Sequence, residues 1–520
     1  MVTNANIATA LWRSADEAPD ATALKDLTAG SVSTYDELRR ASAEVAAGWR
    51  ARGLEPGDRV ALLLHNSCEY VEVFLGSLAA GLVVVPLNTR LTVQDFAHML
   101  NDAAVSALVT DADFLRQLRS DPTIQVPLVV DVTGSSADGI SLSELRAEDD
   151  HRDPEHKEPG DLCSLMYTSG TTGAPKAVML SHRSWSSVSD TCVDLLGFET
   201  GISVMHPAPL THGAGFLLLP TLRHQGTNLL VRSFDPRDTA DRIASGEAQG
   251  MFLVPSMIRM LLDSLPQEWR PSDKFRWIYY AGSPIDPSTF VEAARAFEGN
   301  MVQSFAQMES PMFLTALDAD VHRRAMEDPG SPLIRSAGKL IDGRQIRIVD
   351  ADGKEAPTGE AGEVWAKAPQ VMSGYWNRPE ESDKTLAGGW LHTGDVGYLD
   401  EDAYLFLVDR VKDMIVSGGS NVYAREVEDV LIAIEGVERA AVVGLPHRIW
   451  GEEVTAVLVR AEGAILDDDA VIAHCRQALA GYKVPKRVVW LDQLPTNSYG
   501  KVLKRDLRSS LTTQLEATAR

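Results

Sequence analysis

From Tyr35 onward, segments with helical spacing of apolar residues alternate with short continuous apolar runs, and this alternation restricts the folds open to the chain more than any other feature. Tyr35–Arg52 places Leu38, Val45, Ala46 and Trp49 on one helical face, and Arg59–Leu64 reads as a strand. Val71–Leu78 is then a helix, Leu82–Pro86 a buried strand, Val93–Leu100 a helix and Ala107–Val109 a strand. Apolar strands separated by helices are the pattern of a parallel sheet covered on both faces, because neither side of such a sheet meets water. No short repeat period accompanies it. The charged stretch Ala147–Pro159, with two prolines and no hydrophobic period, is expected to be a surface connection leading into the apolar run Leu162–Met166.

The texture changes further on. Gly362–Tyr375 and Tyr398–Asp409 read as shorter strands separated by turns, forming a small β-rich subdomain. Past Arg410–Asp413, Met414–Val416 is a strand, and Val427, Val430, Leu431 and Ile434 follow the i, i+3, i+4, i+7 spacing of a helix stopped at Gly436. Strands at Ala440–Val443, Val454–Val459 and Val488–Leu491, with a helix over Ala470–Leu479, complete a small α+β unit, so a domain boundary is expected at 410–413.

Charge narrows the partners. The chain holds 49 Lys and Arg against 73 Asp and Glu, a net charge of −24, which repels nucleic acid and anionic membranes over most of the surface. Thr200–Leu222, the longest stretch free of charged residues, is broken by Pro207, Pro209 and Pro220, and Val73–Thr89 is interrupted by Gly76, Gly81 and Pro86, so no membrane span is expected. Met1–Asp16 lacks the basic opening and apolar block of a secretory signal, which leads to an expected cytoplasmic location. Cys68, Cys163, Cys192 and Cys475 lie far apart without metal-ligand spacing and are expected to be buried free thiols.

The most informative segment is Tyr167-Thr168-Ser169-Gly170-Thr171-Thr172-Gly173-Ala174-Pro175-Lys176. Gly170 and Gly173 let backbone N–H groups turn toward an anion, the hydroxyls of Thr168, Ser169, Thr171 and Thr172 can donate to phosphate oxygens, and Lys176 adds a compact cation. It is not a Walker loop, because the glycines are too close and Ala177 follows the lysine. An ordinary Ser/Thr/Gly turn has the same composition; the order of residues does not.

That order resembles the signature of the adenylate-forming superfamily of acyl- and aryl-CoA synthetases, peptide-synthetase adenylation domains and luciferases. Further segments resemble its motifs in sequence order: Tyr35-Asp36-Glu37-Leu38, Gly57-Asp58-Arg59-Val60-Ala61, Val85-Pro86-Leu87-Asn88, Pro209-Leu210-Thr211-His212-Gly213, Tyr280-Ala281-Gly282-Ser283-Pro284, Gln303–Glu309, Thr393-Gly394-Asp395, Asp409–Asp413, Gly418-Gly419-Ser420-Asn421 and Asn497–Arg505. The resemblance spans Tyr35 to about Arg508. It implies an α/β fold with a large N-terminal adenylation domain (1–410) of two doubly wound parallel-sheet subdomains plus a small β-rich one. A hinge (411–413) and a small mobile α+β C-terminal domain (414–520) would follow.

The implied reaction has two halves. A carboxylate attacks the α-phosphorus of ATP to give an acyl-adenylate and pyrophosphate, and a thiol, that of CoA, then takes the acyl group. Two anions must meet, so fixed cations and Mg²⁺ are needed. Lys501 would bridge the carboxylate and the α-phosphate; seven Lys or Arg against two Asp give Gly481–Ser510 a local charge of +5 in an acidic chain. Glu309 would hold Mg²⁺, Asp395 and Arg410 the ribose, and Gly282, Ser283, Pro284, Phe305, Ala306 and Met308 would border adenine and the acyl group. His212 is either a satisfied core histidine or, by the resemblance, the gate of the acyl pocket; a carboxylic acid already ionised near neutral pH needs no base. Lys412 would be the hinge. Ser417, Gly418 and Gly419 would edge a pantetheine tunnel, with Trp450, Tyr482 and Lys486 beside the CoA nucleotide or as ordinary surface residues.

Three residues depart from the family's Tyr-Gly-x-Thr-Glu block. Phe305 and Ala306 are mild changes, whereas Met308 replaces a hydroxyl donor with a thioether that cannot donate. Ala424 and His447 are lesser departures away from the proposed chemistry. An acid–CoA ligase acting on a medium aliphatic or aryl acid is the expected function. Loading of a carrier protein, transfer to an amine including nitrite-activating diazotisation of an arylamine, and a catalytically silent nucleotide binder are the alternatives, and a homodimer is left open.

Overall fold

The computed structural model describes residues 4–148, 152–168, 175–418, 420–496 and 502–518. It divides into two compact units: most of the chain up to Gln345 together with Ala366–Leu391, and Ile346–Trp365 together with the chain from His392 onward.

The first unit holds two largely parallel sheets. In one of seven strands, Ile140–Ser141, Leu128–Asp131, Ala107–Thr110, Arg59–Leu63, Val83–Pro86, Leu162–Thr168 and Lys176–Ser181 lie side by side, the last pair antiparallel. The expected helices between these strands form as Tyr35–Ala51, Cys68–Ala79 and Val93–Asp102. Ala61, Leu63, Val83, Val85, Phe96, Met99, Leu100 and Leu108 meet in one core, so strand and helix segments bury each other's apolar faces. The Tyr35-Asp36-Glu37 motif is locally a helix start: Thr34 Oγ1 accepts from Glu37 N at 3.2 Å while Thr34 N donates to Glu37 Oε2 at 2.8 Å. A cap of this kind contributes about 1 kcal/mol.

In the other sheet, Met301–Gln307, Trp277–Tyr280, Gly250–Leu253, Ser203–His206, Thr227–Leu230 and Thr22–Asp26 run parallel, flanked by the antiparallel strands Ser310–Leu317 and Ser31–Thr34. The long connection at 147–159 is irregular where described and mostly exposed, as its composition implies.

The second unit contains most of strand Gly362–Lys367 and, from His392 onward, the antiparallel pair Leu391–Leu399 and Tyr404–Arg410. Two expectations are corrected here. Of the turn-separated strands expected over 362–375 only Gly362–Lys367 forms, stopping before Pro369, which has no N–H to give a ladder. The strand expected to begin at Tyr398 begins at Leu391, its polar His392, Thr393 and Asp395 having hidden the pattern.

The same unit carries a sheet of Ser420–Val422, Ile415–Ser417, Gly451–Arg460 and Val437–His447, with Arg487–Trp490 parallel to Gly451–Arg460. Strand alternation sends Val442, Val454, Ala456 and Leu458 into a core with Val427 and Leu431 of helix Ala424–Ile432. Ala441, Val443, Val457 and Val459 point the other way, onto Leu507 and Leu511 of helix Lys504–Thr518. All four cysteines are reduced and buried. Among the described residues no helix is long and apolar enough to cross a membrane.

Candidate active site

The phosphate-loop segment begins and ends on neighbouring strands, for Thr168 and Lys176 are opposed across the antiparallel pair. Ser169, Gly170, Thr171, Thr172 and Gly173 lie outside the described residues. The Lys176 ammonium is ion-paired with the Glu381 carboxylate and sits 5.2 Å from the centroid of the Tyr375 ring.

Met308 and Glu309 form the two-residue turn between strands Met301–Gln307 and Ser310–Leu317, so the carboxylate stands at a hairpin tip. The register shifts between Phe305 and Gln307, an irregularity of the kind that re-aims side chains. Phe305 is buried, and Ala306 and Met308 are half-buried. Tyr375 Oη donates to Glu309 Oε1 at 2.7 Å.

No group of three or more His, Cys, Asp or Glu converges among the described residues. A single carboxylate suits Mg²⁺, which keeps waters and takes its remaining ligands from substrate phosphates.

Strand Trp277–Tyr280 runs out into buried Ala281 and exposed Gly282, Ser283 and Pro284, the glycine at φ +93°, where a side chain would be strained. His212 Nδ1 lies 3.2 Å from Thr211 Oγ1, and desolvation pushes the imidazole down to about 4, so the ring is neutral at physiological pH. Gly213 faces the Phe252 ring: a Cβ there would lie 3.0 Å from Cζ. Behind it Phe252 stands 5.3 Å from Tyr279, and Tyr279 4.8 Å from Phe313, centroid to centroid.

In the second unit Asp395 and Arg410 are opposed across their strand pair, with Arg410 Nε 2.8 Å from Asp395 Oδ1 and the aspartate 6% exposed. Lys412 is exposed in the single turn Val411–Asp413. Ser417 is buried, and Gly418, at φ +60°, donates its N–H to the Trp450 carbonyl at 2.8 Å; a Cβ on it would lie 3.0 Å from the Trp450 ring. The structure thus brings Ser417, Gly418 and Trp450 together, with Trp450 46% exposed; Gly419 is outside the described residues. Tyr482 is exposed, and Lys486 Nζ donates to the Gly481 carbonyl at 3.0 Å, both on the approach to Arg487–Trp490. Lys501 lies outside the described residues; Thr496 and Val502 pair on either side of its segment.

Sequence reasoning passed over Tyr375 and Glu381. Tyr375 closed the stretch expected to hold strands, and Glu381 lay beyond it in a segment given no reading.

The family model described as AMP-binding enzyme matches residues 11–376, and that described as AMP-binding enzyme C-terminal domain matches 426–501. A feruloyl-CoA synthase from Amycolatopsis sp is 37% identical over 511 residues, 95% of this chain and 97% of the relative. Among solved structures, ATP-bound MatB from Rhodopseudomonas palustris superposes with a TM-score of 0.86 at 30% identity, covering 98% of this chain and 99% of that one. An amide bond synthetase from Marinactinospora thermotolerans gives 0.85 at 30% identity, covering 97% and 99%.

Proposed function

Because the chain belongs to the AMP-binding enzyme family, in its adenylate-forming acyl- and aryl-CoA synthetase branch, we propose that it is an ATP-dependent, AMP-forming ligase that joins a carboxylic acid to CoA. The likeness to a feruloyl-CoA synthase along nearly the whole of both chains carries this reading. An aryl acid is the favoured substrate over a medium aliphatic one, supported by the ring cluster Phe252, Tyr279 and Phe313 behind Gly213.

In this reading the acid carboxylate attacks the α-phosphorus, pyrophosphate leaves, and the CoA thiol then displaces AMP from the acyl-adenylate. Thr168, Ser169, Gly170, Thr171, Thr172, Gly173 and Lys176 hold the phosphates, and Lys501 bridges the two reacting anions. Glu309 would hold Mg²⁺, which would supply screening of phosphate charge. Phe305, Ala306, Met308 and the Gly282-Ser283-Pro284 turn border adenine and acid. The Asp395 carboxylate, fixed by Arg410, accepts from ribose hydroxyls. Neutral His212 borders the acid without taking its proton. Rotation about Lys412 exchanges Lys501 for the Gly418 edge, where Trp450, Tyr482 and Lys486 meet CoA.

A panel of aryl and aliphatic acids assayed for AMP release with and without CoA tests the assignment. Thioester formation with an aryl acid is expected. A second reading, transfer of the acyl group to an amine, is favoured by Met308 and by the likeness to an amide bond synthetase. Acid-dependent AMP release that needs an amine and ignores CoA would establish that reading and overturn the first.

A further inference from the structure

The lysine of the phosphate loop is already neutralised by its own chain. Glu381 Oε2 pairs with Lys176 Nζ, and Oε1 lies 3.4 Å from Arg378 Nη1, so one carboxylate spans two cations. The three side chains are 25–37% exposed, leaving them open to exchange with a solute anion. Arg378 Nε is buried without a hydrogen-bond partner among the described residues, so this guanidinium has spare capacity for the carboxylate. The Tyr375 ring flanks Lys176 while its hydroxyl holds Glu309, which ties the phosphate lysine and the metal carboxylate to one side chain.

We propose that Glu381 is an internal counter-anion of the phosphate loop: it holds Lys176 when no nucleotide is present and yields it to the triphosphate, with Arg378 retaining the carboxylate. This rests on the reading of Lys176 as a phosphate ligand. A partly exposed Lys–Glu pair is weak in water, so a polyanion carrying several charges displaces it, and the carboxylate sets the affinity at which it does so. A monoanion carries too little charge to displace the carboxylate from Lys176, whereas a polyanion carries enough. Glu381 is therefore a positioning residue that makes ATP binding weaker and more selective, acting on KM for ATP and not on the chemical step.

The test measures equilibrium binding of Mg-ATP, inorganic tripolyphosphate and adenosine to the full chain by calorimetry, without acid or CoA. Glu381→Gln should tighten ATP and tripolyphosphate by about two- to fivefold and leave adenosine unchanged. In a Lys176→Gln background the same change should have no effect on either polyanion. Unchanged or weaker polyanion binding in Glu381→Gln, an equal shift for adenosine, or tightening that survives without Lys176 would each overturn the proposal. If Lys176→Gln binds ATP and tripolyphosphate as the wild type does, the phosphate reading of that lysine falls first and takes the proposal with it.

Discussion

Two carboxylates of the candidate site, Glu309 in the first unit and Asp395 in the second, are held by opposite kinds of partner. Glu309 accepts from a neutral phenol at 2.7 Å, whereas Asp395 is paired with a guanidinium at 2.8 Å and is 6% exposed. A neutral donor orients a carboxylate without cancelling its charge, the arrangement that the proposed metal role of Glu309 calls for. A guanidinium balances the charge it binds, the arrangement that the proposed contact of Asp395 with neutral ribose hydroxyls calls for. The same functional group is thus suited by its neighbour to two different proposed tasks.

The comparison breaks most visibly at Glu309. Glu309→Gln should lower the rate of pyrophosphate release by about 100-fold or more at any Mg²⁺ concentration, and retention of Mg²⁺-dependent turnover near wild type would deny the residue its metal role. Asp395→Asn should weaken ATP binding by about tenfold with little effect on the Mg²⁺ requirement. Deoxy-ATP should show no further loss in that variant; an undiminished penalty for the missing hydroxyl would separate Asp395 from the ribose. Tyr375→Phe removes only the neutral donor, and the Mg²⁺ concentration for half-maximal rate should rise on the order of threefold with kcat nearly preserved. A fall in kcat alone would mean the phenol acts elsewhere.

Acidification should separate the units themselves, by a few °C in Tm. Burial pushes His182, His206, His212 and His322 of the first unit down to about 4. Unfolding frees each to bind a proton near 6.5, so their contribution to stability is complete above that pH and is lost as pH falls toward 4. In the second unit, burial raises Asp409 and Glu428, whose buried charge costs least when they are protonated. Calorimetry at pH 7.5 and pH 5 should show the transition of the first unit moving down more than that of the second; the reverse order would contradict these assignments.

How much of this was legible beforehand depended on periodicity. The helices starting at Tyr35, Cys68 and Val93 and the strands between them are visible because their apolar positions repeat at one period. Strand Leu391–Leu399 was started late because His392, Thr393 and Asp395 occupy it, and polar residues at a site erase the alternation that marks a strand. The helix Lys504–Thr518 was not expected although Leu507 and Leu511 have helical spacing, since few apolar positions in an otherwise polar segment make a weak period. Glu309, Asp395 and Arg410 could be named from motif order. Tyr375 and Glu381 could not, because their importance lies in which side chains they reach 66 and 205 positions away along the chain.

The two-sided packing of the small sheet has a consequence for how the chain can change. Val442 and Val443 are joined by one peptide bond yet answer to separate cores, one shared with Val427 and Leu431, the other with Leu507 and Leu511. Adjacent side chains in that strand therefore meet different neighbours, and a change of volume at either one is felt first in its own core.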